Sequence, residues 1–223
     1  MTGKLFVQTL VKFLLGVVLT AVLLFCPAGT LAFARGWLFL AVLFVPMLIA
    51  GVVLMVKAPE LLQKRLRSKE TAREQDRVVK LSGLMFLLGF VAAGFNHRFG
   101  WYVLPMEVSL AAAVVFLVGY LLYARVLREN EFLSRVIEIQ ENQRVIDTGM
   151  YALVRHPMYS ATLLLFLSMP LILGSVISFV IFLAYPILIA KRIRNEEQVL
   201  SEGLPGYREY CHKVRWRLLP LIW

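Results

Sequence analysis

The side chains with chemical potential crowd into the last third of the sequence. Thr148-Gly149-Met150-Tyr151 is followed closely by Arg155-His156-Pro157-Met158-Tyr159. A long apolar stretch then leads to Arg192-Ile193-Arg194-Asn195-Glu196-Glu197, and the chain continues to Gly206-Tyr207-Arg208-Glu209-Tyr210. Arginine is suited to positioning an anionic group, and a carboxylate pair accepts hydrogen bonds from hydroxyls or pairs with an ammonium. Each element alone has a plain structural reading: His-Pro caps a helix, arginine anchors to a lipid headgroup, and a Glu pair is a solvated face. The ordered combination is what points to a site. It is not a metal site, because no His, Cys and carboxylate cluster has ligand spacing. The G-x-G-x-x-G and G-x-x-x-x-G-K phosphate fingerprints are also missing.

The intervening chain explains how these residues can meet. Pro157 suits the first turn of a helix, where its missing N–H costs nothing. That places Arg155 and His156 at the mouth of the helix, with Tyr159 one turn along. The apolar block Tyr159 to Ala190 is too long for one membrane crossing and contains Pro170 and Gly174-Ser175. Proline removes a helix donor and glycine permits a tight reversal, so the block reads as two antiparallel helices turning near Gly174, the first rather short. Pro157 then pairs in depth with a residue near Ala190. Glu196 and Glu197 lie about 9–11 Å beyond that level, at about 1.5 Å per residue. The His/Arg/Tyr group and the carboxylate pair therefore converge on one pocket at one membrane face.

The composition requires a membrane. Of the 223 residues, 60% are hydrophobic and 17% charged, against about 45–50% and 25% in soluble domains. Spans of about 20 apolar residues run from about Leu5 to Phe25, Gly36 to Val56, Leu81 to Phe95 (extended by Asn96 and His97) and Trp101 to Leu127. With the hairpin, the expected fold is an all-α polytopic membrane bundle of about six segments. A cleaved signal peptide is the alternative for the first span, but the apolar run exceeds the usual 7–15 residues or so of an h-region. Lys12 inside that span either faces other helices or snorkels. Glu107, about 9 Å into the fourth span at helical rise, reads as helix packing or local polarity. Residues 1–127 form the four-helix part and 128–223 the part that carries the site.

Charge placement orients the bundle. Of the 24 Lys and Arg, eight fall in 57–80, five in 125–157 and seven in 191–223, whereas the opposite connections hold only Arg35 and Arg98. The positive-inside rule puts both termini, both long loops and the pocket in the cytoplasm, as in a bacterial-type inner membrane or an equivalent cytosol-facing membrane. The same bias accounts for the net charge of +10, so nucleic acid is not an expected partner. The basic loop 57–80 reads as a solvated amphipathic helix near anionic headgroups. Cys26 and Cys211 fall at different depths and are not expected to pair. Tyr207, Tyr210 and the tryptophans Trp101, Trp216 and Trp223 are candidates for the interfacial aromatic belt. The sequence leaves the oligomeric state open.

The run DTGMYALVRHPMYSATLL, with RIRNEEQVL and GYREYCHKVRWRLLPLIW after it, resembles the isoprenylcysteine carboxyl methyltransferase family and the related phospholipid N-methyltransferases over about residues 140–223. The resemblance implies a membrane methyltransferase that uses S-adenosylmethionine in a cytosolic pocket. Its acceptor would be a lipophilic substrate from the bilayer, such as a prenylated cysteine carboxylate. Carried over by position, Tyr151, His156, Pro157, Tyr159, Glu196 and Glu197 are expected to line or bind the cofactor. Arg155, Arg194 and Glu197 are the expected catalytic group, the arginines positioning an acidic acceptor. Met150 stands where many relatives have proline, which would loosen that turn. Phospholipid amine methylation, an NADPH-dependent membrane sterol-type reductase with a similar tail, and a non-enzymatic membrane protein are the alternatives.

Overall fold

The computed structural model describes residues 3–66, 73–133, 137 and 139–223, and among these no β-strand occurs. Four long helices come first: α1 (Gly3–Ala28), α2 (Ala34–Lys57), then the short α3 (Pro59–Leu66), α4 (Arg73–Phe99) and α5 (Met106–Glu129). A one-turn 3-10 helix (Gly149–Ala152) precedes α6 (Pro157–Ile172), α7 (Val176–Phe182), α8 (Ala184–Gly203) and α9 (Tyr207–Lys213). Five segments are long and apolar enough to cross a membrane, taking α7 and α8 together, and α6 is a shorter apolar helix. The bundle is therefore the polytopic helical one expected, with α6 as the short arm of the hairpin.

The hairpin turns where the sequence placed it. Gly174 adopts φ +69°, a left-handed conformation that glycine reaches without steric cost, and the Arg35 side chain packs directly over it. The segment before α5 braces the turn through an isolated bridge between Val103 and Ser175 and the bond from Leu104 N–H to the Gly174 carbonyl. Residues 101–105 are thus used outside a helix, and the fourth span begins at Met106, after Pro105 at its N-cap. Glu107 consequently sits exposed in the first turn of α5, where a negative charge favours the helix dipole. It lies at the very start of the span and not deep within it.

Within the basic stretch 57–80, Lys57 closes α2, residues 59–66 form α3 and residues 73–80 are the first turns of α4, which continue into the third span. The residues between, 67–72, lie outside those described. Lys12 is exposed. Its ammonium donates to the Leu66 carbonyl of α3 at 2.7 Å, so it reaches another helix from an exposed position.

One core runs through the bundle. Phe39, Phe90, Phe116 and Phe182 are buried at its centre with Leu165, Met169 and Ile172 from α6. The most extensive helix packing is α5 against α6. Because α5 ends at Glu129 and α6 starts at Pro157, this pairing brings the end of α5, the 3-10 turn and the Arg155-His156 step to the same end of the bundle. The return through α7 and α8 brings Arg192 to Glu197 there too.

Candidate functional site

Pro157 opens α6 at its first position, with His156 as N-cap. Pro157 is fully buried and serves the helix start; it does not line the cavity described below. The two residues before it are clamped by the C-terminal tail. Arg155 N–H donates to the Trp216 carbonyl and His156 N–H to the Arg217 carbonyl, both at 2.9 Å. Ser160 adds a bond from its hydroxyl to the Leu218 carbonyl at 2.6 Å. The tail therefore completes the first turn of α6, a role that its position some 60 residues away conceals from any local reading.

Glu197 is the centre of a buried polar knot. Its Oε1 accepts from Arg155 Nε at 2.7 Å and lies 3.2 Å from His156 Nε2, and its Oε2 accepts from Arg217 Nε at 2.7 Å. The guanidinium of Arg155 also donates from Nη1 to the carbonyls of Val214 at 2.9 Å and Arg215 at 3.1 Å, and the residue lines the cavity described below. Arg155 and Glu197 side chains are 8% and 11% exposed. Buried charges are tolerated when paired and hydrogen-bonded, as these two are with each other and with their neighbours. Arg217, the third donor, also packs its guanidinium against the Trp223 ring. Trp223 is thus engaged with the fold at the knot and packs on the core.

Glu196 has a different environment. It lines a cavity of about 820 Å³, measured out to its open mouth, with Tyr151, His156, Tyr159, Arg192 and Tyr207 also in the wall. Glu196 Oε2 accepts from the Tyr159 hydroxyl at 2.6 Å, and Arg192 Nε donates to that same hydroxyl oxygen at 3.0 Å. Tyr159 is thereby fixed between a cation and a carboxylate. Residues 192, 196 and 200 all line the cavity, the i, i+4, i+8 stripe of one helix face. Arg194 is about 200° round the helix from Arg192 at 100° per residue. It is exposed and absent from the wall, so the cavity takes Arg192 in its place.

The adjacent residues divide the work along α8. Glu196 faces the cavity, whereas Glu197 is buried against Arg155, His156 and Arg217 and is not in the wall. Their sequence types are identical, and only the helical rotation of about 100° per residue separates them.

The far wall comes from α9 and the loop before the 3-10 turn. Leu204, Tyr207, Tyr210 and Val214 form a small apolar cluster with Val145, Leu200 and Cys211. Tyr207 and Tyr210 are buried in it and do not form an interfacial belt. The Tyr210 hydroxyl donates to the Tyr151 carbonyl at 2.7 Å. The Tyr207 hydroxyl, on a residue only 4% exposed, meets no oxygen or nitrogen partner among the described residues. The Cys211 thiol is its polar neighbour, a weak acceptor. Burial, and then the nearby Glu197 carboxylate, push the Tyr207 phenol well above its ordinary pKa. It therefore stays protonated as a donor.

Met150 does not loosen its turn. Its N–H donates to Glu129 Oε2 at 2.7 Å, a bond that proline could not make. Among the described residues no group of three or more His, Cys, Asp or Glu is placed to hold a metal ion.

Several wall residues escape a motif reading. Asn130 and Phe132 follow α5, and Gln143 to Ile146 precede the 3-10 turn. Asn130 and Phe132 lie before the motif stretch 140–223 and are delivered by α5–α6 packing, whereas Gln143 to Ile146 lie within it but hold none of the expected site residues.

Residues 110–202 match the model of the isoprenylcysteine carboxyl methyltransferase (ICMT) family. The cobalt-zinc-cadmium resistance protein CzcN of Cupriavidus metallidurans is 27% identical over 132 residues, 58% of this chain and 56% of that protein. The chain thus spans little more than half the length of this curated relative. The family match starts in α5 and ends in α8, earlier at both ends than the motif reading of 140–223, and the tail that clamps Arg155 lies beyond it. The resemblance carried by the Arg-His-Pro-x-Tyr and Glu-Glu elements therefore holds, and over residues 110–202 the chain carries the sequence pattern of the isoprenylcysteine carboxyl methyltransferase family.

Proposed function

We propose that this protein is an integral membrane methyltransferase that uses S-adenosylmethionine and acts on a lipophilic acceptor, with a carboxylate as the first choice. The observation that carries the reading is the meeting of the family-matched elements in one cavity: Tyr159 from Arg-His-Pro-x-Tyr and Glu196 from Glu-Glu are 2.6 Å apart in its wall.

The wall suits the cofactor. Glu196 can accept from ribose hydroxyls or pair with an amino group. The buried Tyr207 hydroxyl offers a donor whose polar neighbour among the described residues is the weakly accepting Cys211 thiol, and leaving such a group poorly met costs about 1–3 kcal/mol. Tyr151 supplies an aromatic surface and Leu200 and Leu204 an apolar one. When bound, S-adenosylmethionine supplies a methyl group activated on a positively charged sulfur.

The chain's own contribution is alignment. Arg192 and Glu196 fix the Tyr159 hydroxyl from two sides, and the Glu197 knot fixes the backbone that carries His156. Holding donor and acceptor in register is worth up to about 7–11 kcal/mol in favourable cases, and a carboxylate acceptor requires no strong base. Arg155, with its guanidinium committed to Glu197 and to carbonyls, serves to build the wall. Arg192 is a cation in the cavity wall, where it holds Tyr159. The reading places this end of the bundle in the cytoplasm, in accord with the concentration of Lys and Arg there.

Calorimetry on the detergent-solubilised protein tests the reading directly. S-adenosylhomocysteine is expected to bind, and NADPH is not. Binding of NADPH alone would overturn the proposal in favour of a reductase. A second test separates the two arginines. Arg192→Ala removes the donor to Tyr159 and is expected to weaken S-adenosylhomocysteine about fivefold to tenfold, the effect of about one lost hydrogen bond. Arg194→Ala should stay within about twofold, as for an exposed residue away from the site. The reverse order would restore Arg194 to the site.

A further inference from the structure

The cavity wall depends on a carboxylate that the proposed function leaves unused. Glu129 is the last residue of α5. Its Oε1 accepts from Arg125 Nε at 2.9 Å, one turn back on the same helix. Its Oε2 reaches across to the 3-10 turn and accepts the Met150 N–H at 2.7 Å. The next residue, Asn130, donates from Nδ2 to the Tyr151 hydroxyl at 2.9 Å. From the other side, Tyr210 donates to the Tyr151 carbonyl. Tyr151, buried in the cavity wall, is thus held through the N–H before it, its own hydroxyl and its own carbonyl.

Three separate sequence choices converge on the Glu129 contact. Position 149 has φ +59°, and a Cβ there would lie 2.5 Å from the Glu129 carboxyl group, so glycine serves both the backbone and the close approach. Position 150 must not be proline, because its N–H is the donor. Position 129 must carry an acceptor long enough to span the gap. An incidental surface carboxylate would require none of these. Its side chain is also only 20% exposed, whereas that of its partner Arg125 is 66% exposed, so the arginine orients the carboxylate from the solvent side.

We propose that Glu129 is a positioning residue: it locks the 149–152 turn to the end of α5 and so sets Tyr151 in the wall before any ligand arrives. The inference rests on the reading of this cavity as a ligand site. Preformed placement of a wall residue lowers the ordering cost of binding. It also ties the cavity to α5, which packs most extensively on the helix bearing His156 and Tyr159.

The test pairs two readouts on Glu129→Ala, Glu129→Gln, Met150→Pro and the Glu129→Ala/Met150→Pro double variant. Amide hydrogen exchange over residues 148–154 is measured without ligand, and S-adenosylhomocysteine affinity by calorimetry. Glu129→Ala and Met150→Pro are each expected to speed exchange in this segment and to weaken binding about tenfold, the scale of a hydrogen bond to a charged group. Glu129→Gln keeps an acceptor oxygen and should lose no more than about twofold. Because both single changes break the same bond, the double variant should be no worse than either, a non-additivity that a shared contact produces. Additive losses, or wild-type exchange and affinity in Glu129→Ala, would overturn the proposal. Failure of the wild-type protein to bind would overturn the functional reading alone, since the exchange measurements still decide whether Glu129 holds the turn.

Discussion

Glu197→Ala is expected to destabilise the protein by about 3–5 kcal/mol, the cost of removing one partner from a buried charge network. The substitution strips Arg155 of its carboxylate while the side chain remains 8% exposed, and it frees Arg217 and His156 at the same time. Arg155 would keep its bonds to the Val214 and Arg215 carbonyls, but those neutral acceptors do not balance its charge. The damage should spread to the tail, because the 216–217 backbone is joined to the 155–156 backbone beside the same knot. Thermal unfolding in detergent without ligand measures the effect, and proteolysis after the lysine and arginine residues of 208–217 reports whether the tail is released. Glu197→Gln retains the shape and one accepting oxygen, so it should fall between wild type and Glu197→Ala. Stability in Glu197→Ala within about 1 kcal/mol of wild type, an amount typical of ordinary substitutions, would show that the knot is incidental to the fold.

The architecture was largely legible because its signals are long and repeated. Apolar runs of membrane length mark the helices, and Gly174 after Pro170 marks the hairpin turn; both are properties of local chemistry. The start of the fourth helix was missed because residues 101–105 are as apolar as a helix end. They form no helix because they brace the turn at Gly174 and Ser175, a partnership set by chain return. The site was legible in part. Arg155, His156, Tyr159 and the Glu pair could be assembled from the hairpin, since two antiparallel helices must bring their ends together. Arg217 could not, because its claim on Glu197 arises from a tail that crosses back beneath α6. Nor could helix phase be read finely enough to choose Arg192 over Arg194, since the two differ only in rotation about α8. The same limit concealed the Met150 N–H as a donor: a side-chain reading takes no account of where a backbone group finds its partner.

Glu196→Gln is expected to separate binding from stability in the opposite sense to Glu197→Ala. Glutamine at 196 retains an oxygen for the Tyr159 hydroxyl, so the Arg192–Tyr159–Glu196 chain can persist with its geometry intact. What disappears is the negative charge facing the cavity. If S-adenosylhomocysteine places hydroxyls or an ammonium against that charge, the loss should weaken binding by about 10–100-fold, since hydrogen bonds to a charged group are worth about 1.5–3 kcal/mol. The unfolding midpoint should shift by no more than about 2 °C, as for a change that leaves no buried group unpaired. Calorimetry and thermal unfolding on the same preparation give both numbers. The comparison with Glu197→Gln is decisive because the two substitutions make the same chemical change at adjacent positions. A lining role for Glu196 and a framework role for Glu197 require affinity to fall mainly in the first and stability mainly in the second. Wild-type affinity in Glu196→Gln together with a large loss in a folded Glu197→Gln would exchange the two roles and put the ligand against the knot.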